Sequence, residues 1–371
     1  MPTTTTVDNL QFIMKYFSDN LTDPVYIKPE KETALDRLFK SWIKDERDLP
    51  FVYLTVKITF TLWPLAILMY IPGMNNWVWW AAAILYQFFN NVTFKGPFGL
   101  MLHCTSHRAF FNKKYQFWNN YLPWVIGPLF GQTPESYYSH HIGMHHPENN
   151  MPDDDSCTMF YQRDSFRGFL LYLWNFVTFG AYDTARYHIR KKRNKLMIKL
   201  IRGEVLFAAV CVGLSFVNFP ATFVVFILPF IISRIIMMVG NWAQHAFICP
   251  ADPDNAYKNS ITCINTKYNH KCWNDGYHIS HHLKPSMHWT EHPVYFRKTI
   301  KEYIDNDAIV FDGIHFLHVW AYLMLKRYDL LAKNFVNIGD RFQTDAEIIS
   351  FLKQRARKMA VQPYVAAAAA A

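Results

Sequence analysis

The sequence Asp275-Gly276-Tyr277-His278-Ile279-Ser280-His281-His282 places three histidines within five residues. On a helix, residues at positions i, i+3 and i+4 share one face. Imidazole is the commonest metal-ligating side chain, so three imidazoles from one helical turn could hold one side of a metal centre. Taken alone, the stretch is equally consistent with a polar surface turn that is rich in histidine.

Length and composition favour a membrane protein that carries a large polar part. Of the 371 residues, 17% are aromatic and only 18% are charged, fewer charges than a soluble domain usually has. The mean hydropathy of -0.05 argues against a chain that lies mostly in lipid. The net charge of +9 is concentrated beside apolar segments, which fits anionic lipid headgroups better than nucleic acid.

Two apolar segments near the start of the chain predict a helical hairpin in the membrane. Segment 51–72 is about 22 residues long, enough to span a bilayer. Segment 77–102 opens with Trp77, Trp79 and Trp80, which is typical of a membrane interface. The turn between the two segments, 73–76, carries no charge. The second segment should therefore return the chain to its starting side.

A second hairpin is predicted from segments 204–218 and 221–240, with its turn at Phe219-Pro220. The preceding stretch, 183–202, is strongly basic and marks the cytoplasmic side of a membrane. Since neither hairpin turn is charged, both termini and all the histidine segments should lie on that cytosolic or equivalent positive side. The lack of a transit segment favours the endoplasmic reticulum over an organelle inner membrane. Arg234 should face protein or the polar part, because a lone charge is unfavourable in lipid.

The predicted fold class is therefore all-α: an integral membrane protein with two transmembrane hairpins (four spans), interfacial helices and a cytosolic, histidine-rich helical cap. The interfacial segments are an amphipathic stretch around Leu35–Ile43 and the segments 115–131 and 166–182. The predicted divisions are an N-terminal cytosolic segment (1–50), a membrane domain with the metal site (51–300), C-terminal cytosolic helices (301–365) and a poly-alanine tail (366–371) without a functional role.

Four groups of histidines emerge at the same predicted membrane face. They are His103 and His107 after the first hairpin, His141, His145 and His146 in the next polar segment, His245 four residues after Asn241, and the opening group His278, His281 and His282. Nine or ten histidines exceed the four ligands that close a structural zinc site. They fit two metal ions with open positions, and neutral nitrogen ligands suit iron, which can carry redox chemistry that zinc cannot. We predict a two-iron, all-histidine site.

The patterns HxxxH at 103–107, HxxxHH at 141–146 and HxxHH at 278–282 resemble those of the membrane-bound fatty acid desaturase superfamily, over roughly residues 50–300. Asn241-x-x-x-His245 and Gly276-Tyr277-His278 are similar to stearoyl-CoA desaturases, whereas the spacings of the first two boxes resemble acyl-lipid desaturases. The resemblance implies that the box histidines bind two irons. The implied ligands are His103, His107, His141, His145, His146, His245, His278, His281 and His282, with Asn241 acting through water.

The sequence leaves three further assignments open. His140 is an alternative ligand to His141. Asp275 neighbours the third box and is a candidate for orienting a ligating imidazole from behind. The run Asp153-Asp154-Asp155 could do the same, although a solvated loop is the expected structure for it.

The resemblance implies a membrane di-iron, O2-dependent fatty acyl desaturase that introduces a double bond into a long acyl chain. Its cofactors would be two iron ions, O2 would be the co-substrate, and an external cytochrome b5 or ferredoxin would supply electrons. Its partners would be a membrane lipid or acyl substrate and the electron donor. From the charge distribution, nucleic acid is not expected as a partner. A di-iron fatty acid or lipid hydroxylase is the alternative reaction.

An alternative of another class is a desaturase-like structural or lipid-binding subunit of a larger membrane complex. Loss of ligands would favour that interpretation, but none of the core histidines is missing. A metal transporter is disfavoured, because a transporter should place its ligands at mid-membrane, whereas these histidines lie outside the apolar segments.

Overall fold

The computed structural model describes Phe17 and residues 19–360 of the chain. The predicted poly-alanine tail (366–371) lies outside the described residues, as do residues 1–16, 18 and 361–365 of the predicted terminal segments. The described residues are mostly helical, which confirms that part of the predicted fold class.

The helices and strands follow in this order: α1 (Ala34–Lys40), α2 (Leu49–Met69), α3 (Asn76–Phe88), α4 (Lys95–His107), α5 (Ser136–His140), α6 (His146–Glu148), α7 (Phe166–Arg190), α8 (Asn194–Thr222), α9 (Leu228–Gln244), α10 (Ala256–Asn259), β1 (Ile261–Ile264), α11 (Lys267–Lys271), α12 (His278–Leu283), α13 (His292–Lys298), α14 (Ile300–Asp305), β2 (Ile309–Asp312), α15 (Phe316–Met324), α16 (Tyr328–Lys333) and α17 (Asp345–Arg355). Short π-helical turns occupy Phe89–Phe94, Leu122–Ile126, His141–His145 and Phe223–Ile227, and 3-10 turns occupy Glu46–Asp48, Lys113–Asn120, Gly127–Phe130 and Trp289–Glu291.

The described chain forms two compact units. Unit 1 comprises the residues up to Val25, His145–Gly180 and the residues from Met237 onward, and unit 2 comprises Tyr26–Met144 and Ala181–Ile236. The predicted divisions at residues 50, 300 and 365 are a separate partition of the sequence and stay predictions.

Two helical stretches are long and apolar enough to cross a membrane, judged by length and composition: Glu46–Met69 and the 51 residues Asn194–Gln244. The second stretch is not one straight helix. Asn218 has φ of -158° and ψ of 95°, which breaks α8 beside the predicted turn at Phe219-Pro220. The longer stretch therefore consists of two helical arms.

Side chains join the two turns within unit 2. The carbonyl oxygen of Met69 accepts hydrogen bonds from Trp79 Nε1 at 3.0 Å and from Asn218 Nδ2 at 3.2 Å. The hydroxyls of Tyr70 and Thr222 lie 2.9 Å apart. These bonds satisfy backbone and side-chain polar groups where the chain reverses direction in both hairpins.

Large apolar side chains are exposed on the helices of unit 2. Phe216 is 88% exposed, Trp77 85% and Phe60 75%. Many exposed large apolar side chains are typical of surfaces that contact a membrane or another protein. The exposed faces are consistent with the membrane association of the two candidate spans.

The loop before the second histidine segment is fixed on α8. Glu204 accepts hydrogen bonds from Thr133 Oγ1 at 2.6 Å and from Ser136 Oγ at 2.8 Å, and it pairs with Arg234 at 3.4 Å. Arg234 therefore faces protein, as the sequence predicts. A Cβ at Gly203 would lie 1.6 Å from the Pro134 carbonyl oxygen, so only glycine allows this contact.

A small parallel sheet organises the core of unit 1, and the all-α prediction lacked it. β1 pairs with β2 in the register Ile261 to Ile309 and Ile264 to Asp312. Each strand has four residues, too few to give a clear alternating pattern. One cluster of buried side chains contains Ile261, Cys263, Ile309 and Phe311 together with residues of α15, α16 and α17, and a second contains Ile264, Val310, Tyr277, Ile279, Phe296 and Tyr303. Tyr277 and Ile279 anchor α12, which carries the third histidine segment.

Candidate metal centre

Four histidines from three segments of unit 1 converge on one point. His145 ends the π-helical turn, His245 follows α9, and His278 and His282 lie one turn apart on α12. Each can offer one ring nitrogen, and these nitrogens all lie within 4.8 Å of one another. The Nε2 atoms of His278 and His245 are 3.2 Å apart, and those of His278 and His282 are 3.0 Å apart. We call these residues the four-histidine cluster.

The spacing of these nitrogens suits a shared cation. Two nitrogens at right angles around a metal, each about 2.1 Å away, are themselves about 3.0 Å apart. Without a metal, two ring nitrogens at this distance need a proton between them, because two facing lone pairs repel each other. The ring tautomers decide how many such protons are available.

The tautomer of His145 is set by a carboxylate. Its Nδ1 lies 2.7 Å from Oδ2 of Asp154, whose side chain is fully buried. A carboxylate can only accept, so Nδ1 carries the proton and Nε2 keeps its lone pair. The other oxygen of Asp154 accepts from the backbone N–H of Ser156 at 2.8 Å and from its hydroxyl at 2.7 Å. Asp154 is therefore held rigidly while it orients the imidazole.

The tautomer of His245 is set in the same way by a backbone carbonyl. Its Nδ1 donates to the carbonyl oxygen of Asn259 at 2.9 Å, which leaves Nε2 unprotonated within the cluster. Asn259 is itself fixed, because its amide donates to the carbonyl oxygens of Asn149 and Pro253, both at 2.9 Å. Two of the four rings thus present lone pairs to the same small volume.

Burial keeps His245 and His282 neutral. Desolvation, and next the neighbouring His145, lower the pKa of His245 to about 3. Desolvation, with the surrounding imidazoles, holds the pKa of His282 well below its usual range. A neutral imidazole is the form that binds a metal, so both rings are ready for ligation at pH 7.

The third histidine segment divides its side chains between two directions. His278 and His282 belong to the four-histidine cluster, whereas Nε2 of His281 lies 2.9 Å from Nε2 of His146. Behind α12, the hydroxyl of Ser280 lies 2.7 Å from Nδ1 of the buried His292. A helix of six residues thus supplies ligand candidates both to the four-histidine cluster and to the contact with His146.

Unit 2 contains a second group of three histidines, which we call the three-histidine cluster. His103 and His107 are one turn apart on α4, and His141 begins the π-helical turn. Ring centroids are 5.2 Å apart for His103 and His107, 4.6 Å for His103 and His141, and 5.3 Å for His107 and His141. Tyr137 stacks on His141 at 5.1 Å. Within the described residues, His140 does not join the ring nitrogens that could share a metal.

Asn241 lies beside the loop that carries Asp154. Its amide nitrogen donates to the carbonyl oxygen of Ser156 at 2.9 Å and to the hydroxyl of Tyr172 at 2.7 Å. These bonds fix the side-chain plane and leave the amide oxygen as its other polar atom. The predicted water-mediated role of Asn241 stays a prediction.

Asp275 is buried near the third segment and has Tyr268 as a hydrogen-bond partner. Desolvation raises the pKa of its carboxyl to about 7. The predicted role of Asp275 in orienting a ligating imidazole stays a prediction. The carboxylate that contacts a candidate ligand in the structure is that of Asp154, which bonds to His145. The sequence contained only a weak signal for it, since three successive aspartates offered no way to choose the one that points inward.

A comparison with protein-family models identifies the family of the chain. The family model described as "Fatty acid desaturase" matches residues 76–313, well over half of the chain. The matched region contains every histidine of both clusters. Searches of curated proteins and of solved structures gave no significant match. The chain belongs to the fatty acid desaturase family.

Proposed function

We propose that this protein is a membrane di-iron enzyme that uses O2 to introduce a double bond into a long acyl chain. The observation that carries the proposal is the four-histidine cluster, in which His145 and His245 are locked with Nε2 unprotonated. Family membership already implies an oxidoreductase of the desaturase or hydroxylase type that acts on a lipid acyl chain. The di-iron centre, the use of O2 and the choice of desaturation are the proposed parts.

The residues fit iron as the bound metal. All the candidate ligands are neutral imidazoles, which suit iron, copper, nickel and zinc, while the acyl chemistry of the family needs a redox metal. The four-histidine cluster would hold one iron. The other five predicted histidines, His103, His107, His141, His146 and His281, would complete the nine ligands that the resemblance implies for two irons. When bound, the iron ions would supply the one-electron chemistry that O2 requires.

The overall reaction balances with the proposed partners. The acyl chain gives up two hydrogens with their electrons, two molecules of the donor protein give one electron each, and two protons enter from solvent. Together they reduce one O2 to two waters. The chain's own residues orient the ligating rings. Asp154 keeps a proton on Nδ1 of His145, and the Asn259 carbonyl keeps one on Nδ1 of His245. Burial of His145, His245 and His278 limits the access of bulk water.

The proposal includes a four-span topology. The arms of the two hairpins, 51–72 with 77–102 and 204–218 with 221–240, would cross the membrane, and α7 would lie at its surface. In α7, Phe166, Leu170 and Trp174 are exposed along one side, which suits an interfacial helix. Both termini and the histidine segments would face the cytosol, with the endoplasmic reticulum as the expected membrane. A cytochrome b5 or ferredoxin would dock from that side.

The first test is elemental analysis of the purified chain in detergent. Wild type should contain two iron ions per chain, and the double variant His281→Ala/His282→Ala should lose them. His270→Ala is the matched control, because His270 is an exposed residue near the end of α11, in the segment between β1 and α12. If protein prepared at native expression levels contains no iron, the di-iron proposal is overturned and a structural or lipid-binding subunit is favoured.

The second test separates the two reactions by product mass. Incubation with donor, reductant and acyl substrates should give a product lighter by two hydrogens. A product heavier by one oxygen would assign a hydroxylase instead. His278→Ala should abolish either product, and wild-type turnover in that variant would contradict the site assignment.

A further inference from the structure

The turn that leads into α12 is built around a glycine. The backbone N–H of Gly276 donates to Oδ1 of Asn269 at 2.9 Å, and its carbonyl oxygen accepts from the backbone N–H of Cys263 at 2.7 Å. A Cβ on Gly276 would lie 2.2 Å from the Cys263 carbonyl oxygen. The turn is therefore pressed against β1, and its position fixes where α12 begins.

A carboxylate from the start of the chain lies under this turn. Asp23 is 5% exposed. Its Oδ2 accepts from the Tyr277 hydroxyl at 2.6 Å and from the backbone N–H of Asn265 at 2.8 Å, and its Oδ1 accepts from Asn269 Nδ2 at 2.9 Å. Three donors from the segment around the third histidine box thus converge on one side chain that is 254 positions distant from Tyr277.

The neighbours of Asp23 strengthen the attachment. The backbone N–H and the hydroxyl of Thr22 both donate to Oδ1 of Asn265, at 2.8 and 3.2 Å. The carbonyl oxygen of Pro24 accepts from Asn274 Nδ2 at 2.7 Å, and the same amide also donates to the Trp289 carbonyl oxygen at 2.9 Å. We call residues 22–24 the N-terminal strap.

We propose that the N-terminal strap is part of the metal centre, with Asp23 as a positioning residue for the ligands of α12. Asp23 orders the turn 274–277, the turn sets the start of α12, and α12 carries His278, His281 and His282. The inference rests on the proposed function, since it assigns Asp23 to the positioning of the proposed iron ligands.

Aspartate suits this position because three hydrogen-bond donors face its side chain. A carboxylate has two accepting oxygens and no donor, so it satisfies all three bonds at once. An amide at the same position has one accepting oxygen and an NH2 group that would face another donor. Hydrogen bonds to a buried charged group are stronger than neutral ones, and an unsatisfied buried donor is unfavourable in its own right.

The test compares Asp23→Asn with Asp19→Asn, which changes an exposed carboxyl of the same segment. Hydrogen exchange is measured on metal-free protein. Amides of residues 276–283 should exchange at least about tenfold faster in Asp23→Asn than in wild type, and amides of residues 103–107 should not change. Asp19→Asn should match wild type throughout.

Metal binding gives the second readout. Cobalt(II) is loaded into each variant, and the visible spectrum of the loaded protein reports ligand geometry. Asp23→Asn should show an altered spectrum and faster loss of cobalt to a chelator, because α12 is no longer held in place. A purely structural role of Asp23 would lower the amount of folded protein but leave the spectrum of the loaded fraction unchanged.

Each outcome decides the proposal. If Asp23→Asn does not fold, Tyr277→Phe is used, because it keeps the buried ring and removes only the hydroxyl bonded to Asp23; faster exchange and faster cobalt loss are again expected. Wild-type exchange and spectrum in the folded variants would overturn the inference. A wild-type chain without iron would instead contradict the proposed function, and it would leave the exchange comparison intact.

Discussion

Nδ1 of His145 donates a hydrogen bond of 2.7 Å to the buried carboxylate of Asp154. The bond links a candidate metal ligand to a residue of the following loop, nine positions further along the chain. It keeps a proton on the nitrogen remote from the four-histidine cluster, so the other nitrogen can bind a cation.

Asp154→Asn should therefore weaken metal binding without removing a ligand. An amide can donate as well as accept, so it no longer enforces the Nδ1 proton on His145. We expect iron to be retained about 10- to 100-fold more weakly, as measured by competition with a chelator. Asp252→Asn, which changes a half-exposed carboxylate that pairs with Lys258 at 3.0 Å, is the control. Equal iron retention in both variants would show that Asp154 does not orient the ligand.

The basic segment formed by the end of α7 and the start of α8 should govern binding of the electron donor. Lys192 and Lys195 are exposed there, and a positive surface accelerates association with an acidic partner. Lys192→Glu/Lys195→Glu should raise the KM for the donor at least about tenfold at low ionic strength, with kcat and the KM for the acyl substrate unchanged.

The matched control for that prediction is Lys28→Glu/Lys31→Glu, which reverses two exposed charges elsewhere in unit 2. Steady-state kinetics at increasing salt should bring wild type and the segment variant together, because salt screens long-range attraction. A KM for the donor that does not depend on salt in wild type would argue against docking at this segment.

Gly203 and Gly213 lie on the same helix, α8, and should respond oppositely to alanine. A Cβ at Gly203 would lie 1.6 Å from the Pro134 carbonyl oxygen, whereas a Cβ at Gly213 meets nothing within 4 Å. Gly203→Ala should destabilise the protein by about 1–3 kcal/mol, because the loop before His141 must shift. Gly213→Ala should be neutral or stabilising by up to about 1 kcal/mol. Thermal unfolding in detergent checks both, and equal melting temperatures would contradict the contact.

His315 should make stability depend on pH. Its Nδ1 accepts from the backbone N–H of Leu317 at 3.2 Å at the start of α15, and its ring lies 4.4 Å from that of His318 and stacks on Tyr268 at 4.8 Å. Burial, and next His318, lower its pKa from 6.5 to about 4. Between these values the unfolded chain binds more protons, so stability is present above pH 6.5 and is lost as the pH falls toward 4.

His315→Asn checks this dependence, because asparagine also caps a helix but does not titrate. The melting temperature of wild type should fall more steeply between pH 7 and pH 4.5 than that of the variant. Parallel curves would show that His315 does not titrate differently on folding.

The sequence alone was sufficient for the family and for the positions of the histidine segments. Helical spacing is a local property, so His103 with His107 and His278 with His282 could be paired from their separation in the chain. The uncharged turns near Gly73 and Pro220 and the apolar segments beside them likewise predicted the reversals of the chain, because they depend on residues that are neighbours in sequence.

Only the tertiary structure decided which histidines share a cluster. His141 and His145 have the same spacing as the other pairs, yet His141 lies with His103 and His107 whereas His145 lies with His245, His278 and His282. The reason is the π-helical turn between them, whose i to i+5 hydrogen bonds remove the alignment of positions i and i+4.

The supporting residues were also decided by contacts between distant parts of the chain. Asp154 could not be chosen from three adjacent aspartates, because only the fold shows which carboxylate is buried against a ring. Asp23 could not be connected with Tyr277 at all, since 254 positions separate them. Spacing in the sequence identifies the atoms that can bind a metal, while burial and hydrogen bonds between remote segments determine which of those atoms point at it.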